Sequence, residues 1–309
     1  MAEIIYSTDD FSNLDVLQSS VCCFGVFDGV HVGHRFLIRQ TIDSALQHGV
    51  KSAVITFDID PDELFKRKGF VKLMSNEKRI EALADSGVDL VVVLPFSREF
   101  AAQSPIEFLN STFNSGVPVE LHVGSNFRFG CKAAGTVSDL TAWGANHGMS
   151  VVGHDLETAL GTVVSATRIR TLLEDCSNIG QANELLGRPY RMSGRVEQGR
   201  KEGRDMGFRT ANVFVPINLR ALGPGVFGAY AFVEGHRYKA AVSVGVSPMF
   251  ADETQAYCEA HLLDFEGDIY GDVVDIDFIE WLRPMMKFSS VEELISTVMG
   301  NIDWVRNNL

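Results

Sequence analysis

Two histidines, His31 and His34, follow a short apolar run in the segment CFGVFDGVHVGH. Three glycines, Gly25, Gly29 and Gly33, recur every fourth residue in the same segment. Imidazoles at this spacing could bind a metal or donate hydrogen bonds to a phosphate, whereas the glycines could serve only a tight turn. The glycine pattern is neither GxGxxG nor GxxxxGK[ST], so neither common phosphate-binding fingerprint applies.

A phosphate-binding role follows if this segment joins a strand to a helix. The first turn of a helix presents unpaired backbone N–H groups, which attract an anion. Histidines at positions i and i+3 of that turn can point at the same phosphate. Nucleotidyl transfer needs aligned reactants and donors for the charge that grows on the phosphoryl oxygens. Because no further metal ligands stand nearby, we favour this chemistry over a metal site, while a purely structural turn remains the alternative.

A second candidate lies in LLGRPYRMSGRVEQGRKEGRDMGFRTANV, residues 185–213. Its glycines could let the backbone approach a polyphosphate, and the oxygen-bearing side chains of Thr210 and Asn212 suit Mg²⁺. A solvated, basic, irregular connection is the alternative interpretation of this stretch.

The elements that must position these residues differ between the two halves of the chain. In the first half, apolar runs predict strands at 21–27, 52–57, 88–96, 119–124 and 150–153. Helical periodicity from Arg35 to a stop at Gly49, and again at 77–87, separates them. Continuous apolar strands that alternate with helices predict a parallel sheet covered on both faces.

After about residue 180 the pattern becomes a series of strands without intervening helices, which predicts an antiparallel barrel or sandwich. The segment SVEELISTVMGNIDWVRNNL closes the chain as an amphipathic helix, with Ser289 or Ser290 as its N-cap. We expect the boundary between the two halves to lie between Asn178 and Leu186.

Bulk composition narrows the possible partners. The 309 residues favour two domains, and the net charge of −13 argues against a broad nucleic-acid interface. The five cysteines form no CxxC pair, and the adjacent Cys22 and Cys23 stand in an apolar run that predicts buried structural thiols. We see no signal peptide and no apolar stretch long enough to span a bilayer, so we expect a cytoplasmic protein without a membrane partner.

Several motifs together resemble one family. FGVFDGVHVGH is similar to the GxFDGxHxGH signature of the HxGH nucleotidyltransferase superfamily. VITFDIDPDELF, VDLVVVLPFSREFAAQSPIEFL, HVGSNFRFGCKAAGT and VSATRIRTLL resemble the bifunctional riboflavin kinase/FAD synthetases, as does the RTAN stretch that precedes the second half's strands. The likeness covers nearly the whole chain.

The resemblance implies an α/β + β architecture. A Rossmann-like FMN adenylyltransferase domain would occupy residues 1–180. A six-stranded antiparallel β-barrel riboflavin kinase domain with a C-terminal helix would occupy residues 181–309. The implied reactions are phosphorylation of riboflavin to FMN and adenylylation of FMN to FAD with release of pyrophosphate. The implied partners are riboflavin, FMN, FAD, ATP as co-substrate, and Mg²⁺.

The resemblance also assigns roles to residues of this sequence. His31 and His34 would stabilise the transition state at the α-phosphate, Glu259 would be the general base on the ribityl 5′-hydroxyl, and Thr210 and Asn212 would hold Mg²⁺–ATP. The nucleotide would be bound by Gly25, Phe27, Asp28, Gly33, Asn126, Thr167, Arg168, Arg170, Gly199, Gly203 and Gly207. The flavin would be bound by Phe127, Phe129 and Arg283.

Five positions depart from the family pattern: Asp60 stands where it has His, Ala166 where it has a hydroxyl residue, Arg209 where it has Pro, Met249 where it has Thr and Met285 where it has Glu. These departures keep two alternatives open, a riboflavin kinase whose adenylyltransferase half has decayed and a flavin-sensing protein without catalysis.

Overall fold

The computed structural model describes residues 1–9, 11–65, 70–155, 158–159, 162–198, 209–246 and 256–309. The chain forms two compact units. The first consists of Met1–Phe70 and Ser75–Ser165, and the second of Val71–Met74 and Ala166–Leu309. The assignment of one activity to residues 1–180 and the other to 181–309 stays a prediction.

A six-stranded parallel sheet forms the centre of the first unit, as the apolar runs predict. Its strands are β1 (Glu3–Tyr6), β2 (Ser20–Phe24), β3 (Lys51–Phe57), β4 (Leu90–Leu94), β5 (Glu120–Gly124) and β6 (Ser150–His154). The strand order is β1-β4-β3-β2-β5-β6. Every residue of β2 and β4 is buried, because helices cover both faces of the sheet.

Helices follow the strands of the first unit. They are α1 (Val32–His48), α2 (Pro61–Phe65), α3 (Asn76–Ala84), α4 (Arg98–Ala101), α5 (Pro105–Thr112) and α6 (Val137–His147). A short hairpin of β7 (Thr158–Ala159) and β8 (Thr162–Val163) comes near the end of the unit. Helix α1 ends at Gly49, whose φ of 68° lies in the left-handed region that glycine tolerates. The predicted stop at Gly49 is confirmed.

A closed antiparallel barrel forms the centre of the second unit, which decides between the predicted barrel and sandwich. Helices α7 (Ala166–Glu174) and α8 (Ile179–Leu186) precede it. Its strands are β9 (Tyr190–Glu197), β10 (Ala211–Phe214), β11 (Gly225–Val233), β12 (His236–Val246), β13 (Ala256–Leu262) and β14 (Val273–Arg283), closed in the order β10-β13-β12-β11-β14-β9.

The C-terminal helix α9 (Val291–Asn308) packs on the barrel. Its N-cap is Ser290, whose side chain accepts a hydrogen bond from the Glu293 N–H. At the other end, the Tyr230 hydroxyl donates to the carbonyl of Leu309 at 2.8 Å and Lys239 Nζ donates to that of Arg306 at 2.7 Å. Side chains of β11 and β12 therefore satisfy carbonyls that the end of the helix leaves open.

The short segment Val71–Met74 belongs to the second unit although α2 and α3 of the first unit flank it in sequence. Its backbone pairs in parallel with the residues around Leu219. The Lys72 N–H donates to the carbonyl of Asn218 at 2.9 Å, and the Arg220 N–H donates to the carbonyl of Lys72 at 2.7 Å. In the described ranges, no helix combines the length and apolar character that crossing a membrane requires.

Candidate functional site

The turn between β2 and α1 holds the histidine pair in a strained backbone. Within it, Phe27, Gly29 and Val30 have φ values of 62°, 78° and 40°, all in the left-handed region. Gly29 adopts this conformation freely, but Val30 is β-branched and rarely does so. Strand β2 therefore ends at Phe24 rather than at Phe27, where the predicted strand ended, because extended backbone stops before the turn.

His31 is the N-cap of α1, and its side chain is buried. Its Nδ1 accepts a hydrogen bond from the His34 N–H at 3.3 Å, so a neutral His31 ring carries its proton on Nε2. The two imidazole rings stack with their centroids 3.5 Å apart and their planes 16° apart. The predicted pair thus forms one rigid unit at the N-terminus of a 17-residue helix.

Burial keeps both imidazoles neutral at physiological pH. Desolvation lowers the pKa of His31 to about 4. Burial also lowers the pKa of His34 well below its ordinary value, and the neighbouring His31 lowers it further. Among the described residues, Nδ1 of His34 is buried and has no hydrogen-bond partner. Such an atom needs a partner, since an unsatisfied buried polar group is costly.

The ring of Phe27 supports the pair from the side. It meets the His34 ring edge-on, with centroids 5.2 Å apart and planes at 78°. A Cβ at Gly25 would lie 3.2 Å from the Phe27 ring, which explains a glycine at this position. Asp28, in the same turn, is also buried. Gly25 therefore has a packing role in the turn, which is compatible with a chemical role of the two histidines.

The loop after β5 lies at the same edge of the sheet, because β5 pairs in parallel with β2. Asn126 is exposed there. Phe127 is half-buried and lies 5.6 Å from Phe24, the last residue of β2, between ring centroids. Phe129 is buried and packs on Phe108 at 5.3 Å, so it anchors the loop. The predicted flavin contacts of Phe127 and Phe129 stay predictions.

The remaining nucleotide residues lie on two other elements. Gly33 is in the first turn of α1. Thr167, Arg168 and Arg170 lie on α7, which belongs to the second unit. Arg170 Nη2 donates to Thr167 Oγ1 at 3.2 Å, so these two side chains share one face of the helix. Their predicted contact with the nucleotide is not tested by this arrangement.

The barrel register brings the predicted kinase residues together. Asn212 on β10 lies directly opposite Glu259 on β13. Glu259 is exposed while its neighbours Cys258 and Ala260 are buried, so Glu259 and Asn212 share the outer face of the barrel. Thr210 directly precedes β10, two residues before Asn212.

This donor set fits Mg²⁺. A hydroxyl and an amide oxygen are hard ligands, and Mg²⁺ completes its octahedron with water and substrate phosphates rather than with a protein cage. Across the part of the chain that the structure describes, no three His, Cys, Asp or Glu side chains form a metal cluster. A site shared with a polyphosphate is therefore the arrangement that the residues support.

The flavin and glycine predictions in the second unit both stay predictions. Arg283 Nε donates to Asn301 Oδ1 at 3.0 Å and Nη1 donates to the Pro284 carbonyl at 3.1 Å, so the side chain connects β14 to α9. Its flavin contact stays a prediction. Four positions named above lie outside the described residues: Gly199, Gly203, Gly207 and Met249.

Three of the departures from the family pattern, Asp60, Ala166 and Arg209, occupy ordinary structural positions. Asp60 is buried and caps α2: its Oδ1 accepts from the Asp62 N–H at 2.9 Å, while Glu63 Oε1 accepts from the Asp60 N–H at 3.0 Å. Burial raises the pKa of Asp60. Ala166 begins α7, and the Arg209 carbonyl accepts from His261 Nδ1 at 2.8 Å.

One residue of the site escaped the sequence analysis. Arg79 on α3 is almost completely buried, and its guanidinium donates to the carbonyl of Val26, at the start of the histidine turn. The buried positions of α3 are Arg79, Ile80, Leu83 and Ala84, so helical periodicity places the arginine on the apolar face. That anomaly was the signal that could have identified it.

Two family models match the chain in succession. The FAD synthetase model matches residues 14–168, and the riboflavin kinase model matches residues 186–309.

Three curated relatives, each called a bifunctional riboflavin kinase/FMN adenylyltransferase, are similar over most of their length. The protein of Listeria monocytogenes is 33% identical over 94% of this chain and 91% of its own. The protein of Pseudomonas fluorescens is 32% identical over 92% and 91%, and that of Escherichia coli K12 is 33% identical over 90% and 88%.

A solved structure described as a macrolide-efflux protein from Streptococcus pneumoniae superimposes with a TM-score of 0.88. It is 27% identical and covers 98% of this chain and 99% of that one. Both sequence and fold are thus shared with proteins that have both units.

Proposed function

The chain belongs to the family of bacterial bifunctional riboflavin kinase/FMN adenylyltransferases, and from this premise we propose which of its residues carry each step. It makes FMN from riboflavin and FAD from FMN, and both steps use ATP. We assign adenylyl transfer to residues 1–180 and riboflavin phosphorylation to residues 181–309.

In adenylyl transfer, an FMN phosphate oxygen forms a bond to the α-phosphorus of ATP while the bond to the leaving pyrophosphate breaks. Negative charge grows on the phosphoryl oxygens, and no proton has to move. The neutral His31 ring offers Nε2–H as a fixed donor, and His34 lies stacked against it. A preorganised donor in a buried turn costs no reorganisation at the moment of reaction.

The observation that carries this proposal is the stacked, neutral histidine pair at the N-terminus of α1, with the His34 ring nitrogen Nδ1 unsatisfied among the described residues. A phosphoryl oxygen beside these rings also meets the first N–H groups of the helix. Gly25, Phe27 and Asp28 shape the turn. Asn126, Thr167, Arg168 and Arg170 supply the remaining nucleotide contacts of the proposal, and Phe127 supplies a face for the flavin.

In the kinase reaction, Glu259 accepts the proton of the ribityl 5′-hydroxyl as that oxygen bonds to the γ-phosphorus and ADP leaves. Thr210 and Asn212 would hold Mg²⁺, which when bound neutralises charge on the ATP phosphates. Asn212 lies opposite Glu259 in the barrel register, which supports placing metal ligand and base at one site. Gly199, Gly203, Gly207 and Arg283 complete the proposed nucleotide and flavin contacts, and we propose a cytoplasmic location.

Two matched variants test the assignment. His34→Ala should remove FAD formation and leave riboflavin phosphorylation intact, because it deletes one of the stacked imidazoles only. Glu259→Gln should remove riboflavin phosphorylation, since the amide cannot accept the proton, and should still form FAD when FMN is supplied. His48→Ala, at the exposed far end of α1, is the control for the histidine variant.

The measurement is chromatographic separation of riboflavin, FMN and FAD after incubation with ATP and Mg²⁺. Normal FAD formation by His34→Ala would contradict the role of the histidine pair. Equal loss of riboflavin phosphorylation and of FAD formation from supplied FMN, in either variant, would contradict the division into two sites.

A further inference from the structure

Arg79 is the largest of the fully buried side chains in the described part of the chain, with 2% of its surface exposed. Its Nη1 donates to the Val26 carbonyl at 2.9 Å and to Thr56 Oγ1 at 2.6 Å. Its Nη2 donates to the Phe57 carbonyl at 2.7 Å. One guanidinium on α3 therefore joins the chain that leaves β2 to the end of β3.

These acceptors lie where the ladder between the two strands stops. The last paired residues are Phe24 and Ile55, and the Gly25 N–H still reaches the Ile55 carbonyl at 3.2 Å. The carbonyl of Val26, two residues beyond the end of β2, accepts instead from Arg79 and, at 3.3 Å, from Thr56 Oγ1. Loss of Arg79 would leave this carbonyl with the weaker hydrogen bond from the Thr56 hydroxyl as its remaining side-chain contact in the described part of the chain.

The residues that directly follow Val26 need external support. Phe27, Gly29 and Val30 all have positive φ, and Val30 is β-branched. A conformation of this kind persists only when the surrounding structure determines it strongly, and it concentrates at functional sites. His31 and His34 follow the turn immediately, so any relaxation of the turn moves both imidazoles.

The charge of Arg79 adds to its hydrogen bonds. Burial lowers the pKa of Arg79, while the negative charges of Asp60, Asp28, Glu63 and Asp58 raise it. Asp28 is part of the histidine turn, and Asp60 is the buried carboxylate that departs from the family pattern. Arg79 favours the ionised form of Asp60, and the charges of the four carboxylates hold the guanidinium in place.

We propose that Arg79 is a positioning residue for adenylyl transfer, which fixes the backbone at Val26 so that the strained turn presents His31 and His34 in their reactive geometry. The inference rests on the proposed role of the histidine pair. Arg79 acts through the turn and makes no contact with substrate in this account. A lysine cannot replace it, because an ammonium is a point donor that does not span the two carbonyls as the planar fork does.

The test compares Arg79→Lys and Arg79→Ala with Lys78→Ala. Lys78 is the preceding residue of α3, exposed and paired with Glu81 at 3.0 Å, so it controls for loss of a cation from this helix. For Arg79→Lys we expect kcat of FAD formation to fall about 100-fold, the loss that a displacement of about 1 Å produces, with KM for FMN nearly unchanged. Riboflavin phosphorylation by the same protein should continue at the normal rate.

Chemical rescue provides a readout that general instability would not move. Millimolar guanidinium, but not ammonium at the same concentration, should restore part of the kcat of Arg79→Ala. Thr56→Val removes one partner of the same guanidinium at nearly constant volume and should lower kcat in the same direction to a smaller extent. If neither Arg79 variant folds, Thr56→Val tests the inference in their place.

A normal kcat for FAD formation in folded Arg79→Lys, or in Thr56→Val where the Arg79 variants do not fold, would overturn the inference. Equal loss of both activities without rescue would reduce Arg79 to a stability role and overturn it as well. If His34→Ala instead retains FAD formation, the proposed function of the pair fails first, whatever the Arg79 variants do.

Discussion

A neutral histidine is a weaker electrostatic partner for a phosphate than an imidazolium, but its hydrogen-bond donor does not change across neutral pH. In His31 the tautomer is fixed because Nδ1 accepts from the His34 N–H. Protonation of that nitrogen would break the N-cap bond and bring a charge into a buried site. The geometry therefore favours a permanent donor over a titrating acid.

The lowered pKa of His31 predicts acid sensitivity with a defined sign. The folded pKa is about 4 and the ordinary value is 6.5, so below pH 6.5 the unfolded chain binds a proton that the folded chain does not. The contribution of His31 to the free energy of unfolding is fully present above pH 6.5 and decreases as the pH drops towards 4. The total decrease is about 3 kcal/mol.

Urea unfolding of the wild type and of His31→Gln, followed in the first unit from pH 7.5 to 4, measures this contribution. The variant should lose less stability over the interval than the wild type by about that amount. His48→Gln, at the exposed end of the same helix, should follow the wild-type curve. Identical pH dependence in His31→Gln and the wild type would exclude a buried neutral imidazole at position 31.

At the level of elements, the loop after β5 depends on a close approach of backbone to an aromatic ring. A Cβ at Gly135 would lie 2.7 Å from the ring of Phe129, which stacks on Phe127 at 5.8 Å. Gly135→Ala should displace both rings, raise KM for FMN in FAD formation, and lower the free energy of unfolding by about 1–3 kcal/mol, because the site is already close-packed.

Gly153→Ala on β6 is the matched control, because its Cβ would meet only Val137 at an ordinary 3.5 Å. Steady-state kinetics of both reactions check the prediction. Riboflavin phosphorylation should be unchanged in both variants. An unchanged KM for FMN in Gly135→Ala would show that the Phe127 ring does not contact the flavin.

The sequence predicts elements that carry a continuous apolar signal, and it does not predict a short edge strand or helices whose clearest signal is a cap. The apolar runs of β3 to β6 and the stop at Gly49 were sufficient. Strand β1 is only four residues long, and its edge position was not apparent. Helices α5 and α6 were left out although both begin in a capping box, Ser104 with Glu107 and Thr136 with Asp139.

For the candidate site, the sequence indicated the residue types but not the geometry that activates them. The stacking of His31 on His34 and the positive φ of Val30 depend on packing that no local pattern encodes. The opposition of Asn212 and Glu259 is a matter of barrel register, set by residues far apart in the chain. Arg79 is not predicted because its burial and its backbone acceptors depend on β2 and β3, which are distant in the sequence.

For the whole molecule, two sites on one chain predict complementation between variants. A mixture of His34→Ala and Glu259→Gln should convert riboflavin to FAD, because FMN made by the first protein can be adenylylated by the second. Chromatography of the mixture and of each protein alone measures this. Each variant alone should form no FAD from riboflavin. Failure of the mixture, with each partial activity intact, would mean that FMN does not leave the protein that makes it.

The segment Val71–Met74 determines how this chain could be recombined. A kinase cassette that began at Ala166 would lack the backbone of Lys72, which pairs with Asn218 and Arg220. Each lost hydrogen bond costs about 1 kcal/mol, and more where the group stays buried. A single cut in the chain therefore does not separate the two units. A barrel expressed on its own needs residues 71–74, or another segment that pairs with Asn218 and Arg220. Splitting the gene at this junction would therefore not yield two complete units.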